Sequence, residues 1–145
     1  MSADPHTVLV IYIRAKPAEI WRALTTREGS KRFFYETDIE LRVGGRFRLL
    51  KDNGEATVSG KVLAIDAPRH LRVFWQELTD PDSKPGEVDY LLEPVGGSTR
   101  LTVSNYDDPP PPPEYLDMGR KGWGFTLSSL KSLIETGEPL PEPTA

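Results

Sequence analysis

Thr37-Asp38-Ile39-Glu40-Leu41-Arg42-Val43-Gly44-Gly45-Arg46-Phe47-Arg48-Leu49 alternates in character on both sides of a glycine pair. Ile39, Leu41 and Val43 alternate with charged side chains before the glycine pair, and Phe47 and Leu49 alternate with Arg46 and Arg48 after it. A period of two with one apolar and one charged face belongs to a strand that is wet on one side. Two adjacent glycines between such halves supply a tight turn. The stretch predicts an antiparallel hairpin, and the same alternation recurs toward the C-terminus.

Asp52-Asn53-Gly54 is a second turn, followed by a strand through Val58, Val62 and Ile65. Asp66-Ala67-Pro68 breaks it, and Leu71, Val73 and Trp75 resume. After a loop from Asp80 to Gly86, Val88, Tyr90 and Leu92 alternate up to Pro94, Gly96-Gly97 turns, and Leu101 and Val103 mark a last strand. Upstream of the hairpin, the β-branched run Val8 to Arg14 reads as a strand that stops before Lys16-Pro17, where proline suits a first helical turn. Ile20, Trp21 and Leu24 form the inner stripe of that helix, and Thr25-Thr26 offers a capping hydroxyl to a second short helix ending near Phe33-Phe34. The run Pro109 to Pro113 is a stiff extended segment. Beyond it, Glu114 to Thr136 places Met118, Gly122, Trp123, Leu127, Leu130 and Ile134 at helical spacing, with Gly137 as the stop. The expected architecture is α+β: seven strands, six of them consecutive, whose apolar face is covered by the one helix long enough to do so. Glu138 to Ala145, rich in proline, reads as a disordered tail.

Composition excludes several classes of function. A chain of 145 residues buries enough surface to need no staples. Zero cysteines exclude disulfides, thiolate catalysis and sulfur-based metal sites, and suit a reducing cytoplasm. A net charge of -4 opposes nucleic-acid binding. The longest apolar run, Val8 to Ile13, is too short for a membrane span, and the acidic N-terminus lacks the basic region of a signal peptide. The reading is a soluble protein with neither membrane nor nucleic acid among its partners.

Catalytic signals are equally sparse. His6 falls in a terminus expected to be mobile, and His70 in a turn where a solvated or capping role suits it better than that of a general base. The acidic pairs Asp107-Asp108 and Asp80 with Asp82 lack calcium-loop spacing, and no serine sits in a nucleophile elbow. Gly44-Gly45 and Gly96-Gly97 are hairpin glycines and not phosphate loops. The expectation is no catalytic residue, no metal and no cofactor. Phe34, Phe47, Val58, Trp75, Tyr90, Tyr115 and Met118 fall on inward positions, where they form either plain core or a ligand cavity. Gly122 on the covering helix suggests a need for space, and Asn105, Tyr90 and Tyr115 offer hydrogen bonds to a ligand.

The order of elements resembles the helix-grip fold of the START-like (SRPBCC) superfamily, a curved antiparallel sheet of about six to seven strands around a long C-terminal helix, over residues 6 to 137. Ala18-Glu19-Ile20-Trp21-Arg22-Ala23-Leu24-Thr25, Leu41 to Arg48, Gly60 to Leu71, Glu93 to Leu101 and Gly122-Trp123 through Gly137 are similar to successive signatures of the family related to activators of the heat-shock-protein-90 ATPase. Many relatives carry two tryptophans where this chain has Phe33-Phe34, and a histidine where it has Asn105. The resemblance implies non-catalytic binding of a small hydrophobic, lipid-like or aromatic molecule by a monomer or homodimer, with a possible link to stress response. A second reading is a co-chaperone-like or regulatory module that meets a chaperone through its outer surface, with the proline run as one candidate contact. A third is a cyclase- or hydrolase-type enzyme, for which Asp38 or Glu36 would have to serve as general base.

Overall fold

The computed structural model describes residues 4–142. The chain runs β1 (Thr7–Ile13), α1 (Pro17–Thr25), α2 (Arg27–Ser30), β2 (Glu36–Ile39), β3 (Arg46–Leu50), β4 (Ala56–Asp66), β5 (His70–Glu77), β6 (Gly86–Val95), β7 (Ser98–Tyr106) and α3 (Pro113–Thr136). All seven strands join one antiparallel sheet in the order β1-β7-β6-β5-β4-β3-β2. The α+β helix-grip architecture read from the sequence is the one observed. Thr26 caps α2 as expected, its hydroxyl accepting the Gly29 amide at 3.1 Å.

Curvature has local causes. The ladder slips between Leu49 and Leu50 on β3 and between Val62 and Ala64 on β4, and such irregularities bend and twist a strand. Gly60 in mid-strand lies so close to the Phe74 backbone that a Cβ would sit 1.6 Å from its carbonyl oxygen. Only glycine permits β4 and β5 that approach. The inner face is lined by fully buried aliphatics from six strands, among them Ile13, Leu49, Val58, Val73, Leu92 and Val103.

Three elements depart from the sequence reading. The first hairpin strand ends at Ile39, so Leu41 and Val43 stand 48% and 65% exposed in the turn that follows, where Glu40 and Arg42 carbonyls accept the Arg42 and Gly45 amides. The second short helix stops at Ser30, three residues before Phe33. Pro113, expected in the extended segment, is the first residue of α3. Of the tail expected to be disordered, 138–142 is described and 143–145 lies outside the described residues. Within it the Leu140 amide donates to buried Ser129. Among the described residues no helix is long and apolar enough to cross a membrane.

The covering helix is held along only part of its length. Leu127, Leu130 and Leu133 are buried against the sheet, each worth about 1.5–3 kcal/mol of apolar burial. Lys131 donates to the Tyr12 carbonyl, Glu135 accepts the Arg14 amide, and Gly137 closes the helix at φ 89°. The first turns are exposed, including Tyr115 at 57% and Met118 at 65%. Gly119, Gly122 and Gly124 then follow within six residues, each costing a helix about 1 kcal/mol relative to alanine. The space requirement suggested for Gly122 is absent: it is exposed, and a Cβ there has no neighbour within 4 Å. Gly122→Ala is therefore expected to raise stability by about 0.4–1 kcal/mol, seen as a thermal midpoint about 1–4 °C higher. A lower midpoint in the melt would show that the position has a neighbour after all.

Candidate functional site

Where α3 crosses the far end of the sheet, a small cavity opens beneath it. Leu24 of α1 and the Phe33-Phe34 turn form one wall, Thr37 of β2 with Phe47 and Leu49 of β3 the floor, and Leu71 and Tyr90 the opposite side. Trp123, Thr126 and Leu127 of α3 close the top. Of these described residues none is charged. The free volume is about 20 Å³, room for roughly one water molecule. Aromatic rings account for the filling. Phe47 and Trp75 have centroids 5.8 Å apart, and Trp123 lies 5.8 Å from Trp75, 6.0 Å from Phe34 and 6.1 Å from Tyr90. Such tilted and edge-on pairs add about 0.5–1.5 kcal/mol each beyond their area.

Tyr90 is the polar group that matters here. Burial alone pushes its phenol well above the ordinary value of 10, with no hydrogen bond or charge among the causes. Its proton stays on across the physiological range and is available to an acceptor. Thr37 and Thr126 are the other hydroxyl-bearing residues of the lining.

The nine residues expected to bind a ligand separate into three groups. Phe34, Phe47 and Tyr90 line the cavity. Trp75 backs it through its rings, with its indole N–H donating to Glu77 at 2.7 Å, while Val58 is 2% exposed and belongs to the packed core. Asn105 lies on β7 opposite Thr7 and Val88, away from the lining. Tyr115 and Met118 point into solvent, and Gly122 is exposed beside them. These three are corrections with one cause, since helical spacing says which residues share a face and not how far the sheet extends beneath it. Trp123, Phe33 and Thr126 were missed as site residues. Trp123 was legible as an inward helix position, and its three ring partners come from separate elements.

Both histidines are placed by carboxylates. His6, expected in a mobile terminus, is 13% exposed, with Nε2 2.7 Å from Asp107 and Nδ1 2.9 Å from the Thr7 hydroxyl. Burial raises the Asp107 pKa, and the bond to His6 partly opposes that rise. His70 lies 2.7 Å from Asp89 on β6, with Arg72 alongside.

The family model described as activator of Hsp90 ATPase homolog 1-like protein matches residues 14–135. Among solved structures, CalU16 from Micromonospora echinospora is 27% identical with a TM-score of 0.75, over 92% of this chain and 76% of that one. EF2215 from Enterococcus faecalis is 27% identical with a TM-score of 0.69, over 95% of this chain and 75% of that one. The Aha1 dimer from Colwellia psychrerythraea, 23% identical, shares the fold with a TM-score of 0.71 over 90% of this chain and 96% of that one. No curated protein matches the chain.

Asp38, named as a general base in the enzyme reading, is instead the centre of an ion cage. Its carboxylate is 5% exposed and takes Arg46 at 2.9 and 3.1 Å, Arg48 at 2.7 and 3.0 Å and Arg27 at 3.0 Å. Arg27 also binds Glu36 at 2.7 Å, so the second candidate is occupied as well. Hydrogen bonds from Arg46, opposed by burial and reinforced by Arg48, hold the Asp38 carboxyl far below the ordinary value of 3.8. A carboxylate held so firmly in its charged form is a poor proton acceptor. Because the folded value lies below the unfolded one, the stabilisation is complete above pH 3.8 and is lost as pH falls from there toward the depressed value. Asp38→Asn is expected to lower stability by about 2 kcal/mol at neutral pH, the cost of an unmet charged partner. In parallel melts the gap to wild type should narrow below about pH 4, and a gap that persists in acid would remove Asp38 as its source.

Proposed function

The chain belongs to the activator of Hsp90 ATPase homolog 1-like family, and from that membership we propose that it binds a small, largely apolar molecule between its curved sheet and α3 without transforming it. One observation carries the reading: an uncharged, aromatic-walled cavity lies beneath Trp123 and Leu127, where the anchored half of α3 meets its exposed first turns. A free volume of about 20 Å³ accepts nothing larger than water while α3 is seated. Entry therefore requires the helix above the cavity to shift. The exposed turns from Pro113 to Gly122 and the glycines at 119, 122 and 124 make that the least costly motion available. The aromatic walls supply apolar contact, and the Tyr90 hydroxyl supplies orientation. The absence of cysteine in the sequence fits a cytoplasmic site of action.

The small free volume is also what favours a second reading, a co-chaperone-like or regulatory contact made by the outer surface of a packed domain. The proline segment before α3 is exposed at 109, 110 and 112 and is one such contact. Native mass spectrometry of freshly purified protein, followed by thermal-shift screening against acyl, steroid-like and flat aromatic compounds, separates the two. A retained mass, or a saturable shift approaching the stabilisation of about 2.7 kcal/mol that a ligand gives at a hundred times its dissociation constant, is the expected result. A silent panel with no retained mass would reject the cavity and leave the surface.

A further inference from the structure

Trp123 sits as a guest in its own cavity. Its indole meets three rings from three elements, Phe34 after α2, Trp75 on β5 and Tyr90 on β6, at interplanar angles of 39°, 50° and 67°. All three centroid distances fall within the range of favourable aromatic pairs, about 4.5–7 Å. The backbone holding it is bare: its neighbours are Gly122 and Gly124, and a Cβ at either would find nothing within 4 Å. Neither sequence neighbour carries a side chain that could wedge the indole in place.

We propose that Trp123 is an internal stand-in for the ligand, and that the ligand is a neutral fused-ring aromatic carrying a hydrogen-bond acceptor for Tyr90. This rests on the ligand-binding reading above. The three rings select a second flat bicyclic system once the indole swings out on its glycine-flanked backbone. The absence of a charged group among the described lining residues rejects a carboxylate, which would be buried without a partner. The retained phenol proton of Tyr90 favours a carbonyl over a plain hydrocarbon.

The test uses the full chain labelled with 5-fluorotryptophan, which gives three fluorine resonances, from Trp21, Trp75 and Trp123. Trp123→Phe assigns the last. Titration with naphthalene, 2-acetylnaphthalene and 2-naphthoate compares one skeleton without an acceptor, with a neutral acceptor and with a charge. The expected result is a saturable shift at Trp123 and Trp75 with Trp21, packed on α1, unmoved. 2-Acetylnaphthalene should bind about fivefold more tightly than naphthalene, the worth of one neutral hydrogen bond, and 2-naphthoate about a hundredfold or more weakly than the ketone. Tyr90→Phe, which leaves the ring in place, should bring the ketone down to naphthalene without changing naphthalene itself.

Equal binding of ketone and hydrocarbon by wild type, tightest binding of the carboxylate, or binding that leaves Trp123 unmoved would overturn the inference while the cavity stood. If none of the three bound but an acyl or steroid-like compound did, the inference would fall and the ligand-binding reading survive. Silence across every compound would remove both.

Discussion

A sheet with seven strands and one apolar face is kept from water by α1 and by the long α3, and α3 is fastened at one end only. Leu127, Leu130 and Leu133 enter the core, and Lys131 and Glu135 hold the adjoining backbone of β1. At about 1.5–3 kcal/mol for each buried leucine, this half of α3 outweighs the roughly 3 kcal/mol that three glycines cost it. The other half has no such return. An isolated helical segment shorter than about twelve residues is marginal in water, so the turns from Pro113 to Gly122 persist as a continuation of the anchored part. The cavity lies where the anchored half begins, with Trp123 and Leu127 in its roof. Its position follows from where the fastening starts.

The opposite wall depends on electrostatics at the edge of the sheet. β2 is four residues long and terminates the sheet, the kind of edge that polar side chains usually guard. Asp38 joins it to β3 through Arg46 and Arg48 and to α2 through Arg27, so the short helix, the edge strand and the Phe33-Phe34 turn between them are tied together. The three arginines are each roughly half exposed while the carboxylate is buried. Solvent screens the cations and leaves the anion dependent on them. The cage therefore matters more for geometry than for net energy: it sets where Phe33 and Phe34 stand relative to Tyr90 and Trp123.

Most of the fold was legible because its signals are local. Alternation at Phe47 and Leu49, at Leu71 and Val73, and at Leu101 and Val103 reports burial on one face, and each pair is buried in the structure. The same pattern misled at Leu41 and Val43, where alternation continues into a turn that has no opposite layer to bury it. The cavity was less legible. Phe34, Phe47 and Tyr90 could be nominated because each is aromatic and inward. Trp123 stood among the same helically spaced residues as Met118, five positions and about 140° away around the helix, and nothing in a single sequence tells which of those positions the sheet reaches. The three-sided contact around Trp123 joins residues 34, 75, 90 and 123, a meeting that only the closed topology creates.

An occupied roof changes what affinity means at such a site. Withdrawing an aromatic side chain exposes part of the roughly 150–250 Å² it covers, up to about 4–6 kcal/mol at 25 cal/mol per Å². Trp123 is half-buried, which puts the cost toward the lower end. A ligand of similar size covers the same rings again and recovers nearly the same amount, so apolar area cancels between the two states. What remains to favour the ligand is the hydrogen bond from Tyr90, which the indole, lacking an acceptor, leaves unmade, together with any area the ligand covers beyond the indole's own. Against it stands the freedom the ligand loses on binding. Small apolar molecules in general are thereby held off, and selectivity passes from the large hydrophobic term to the small polar one.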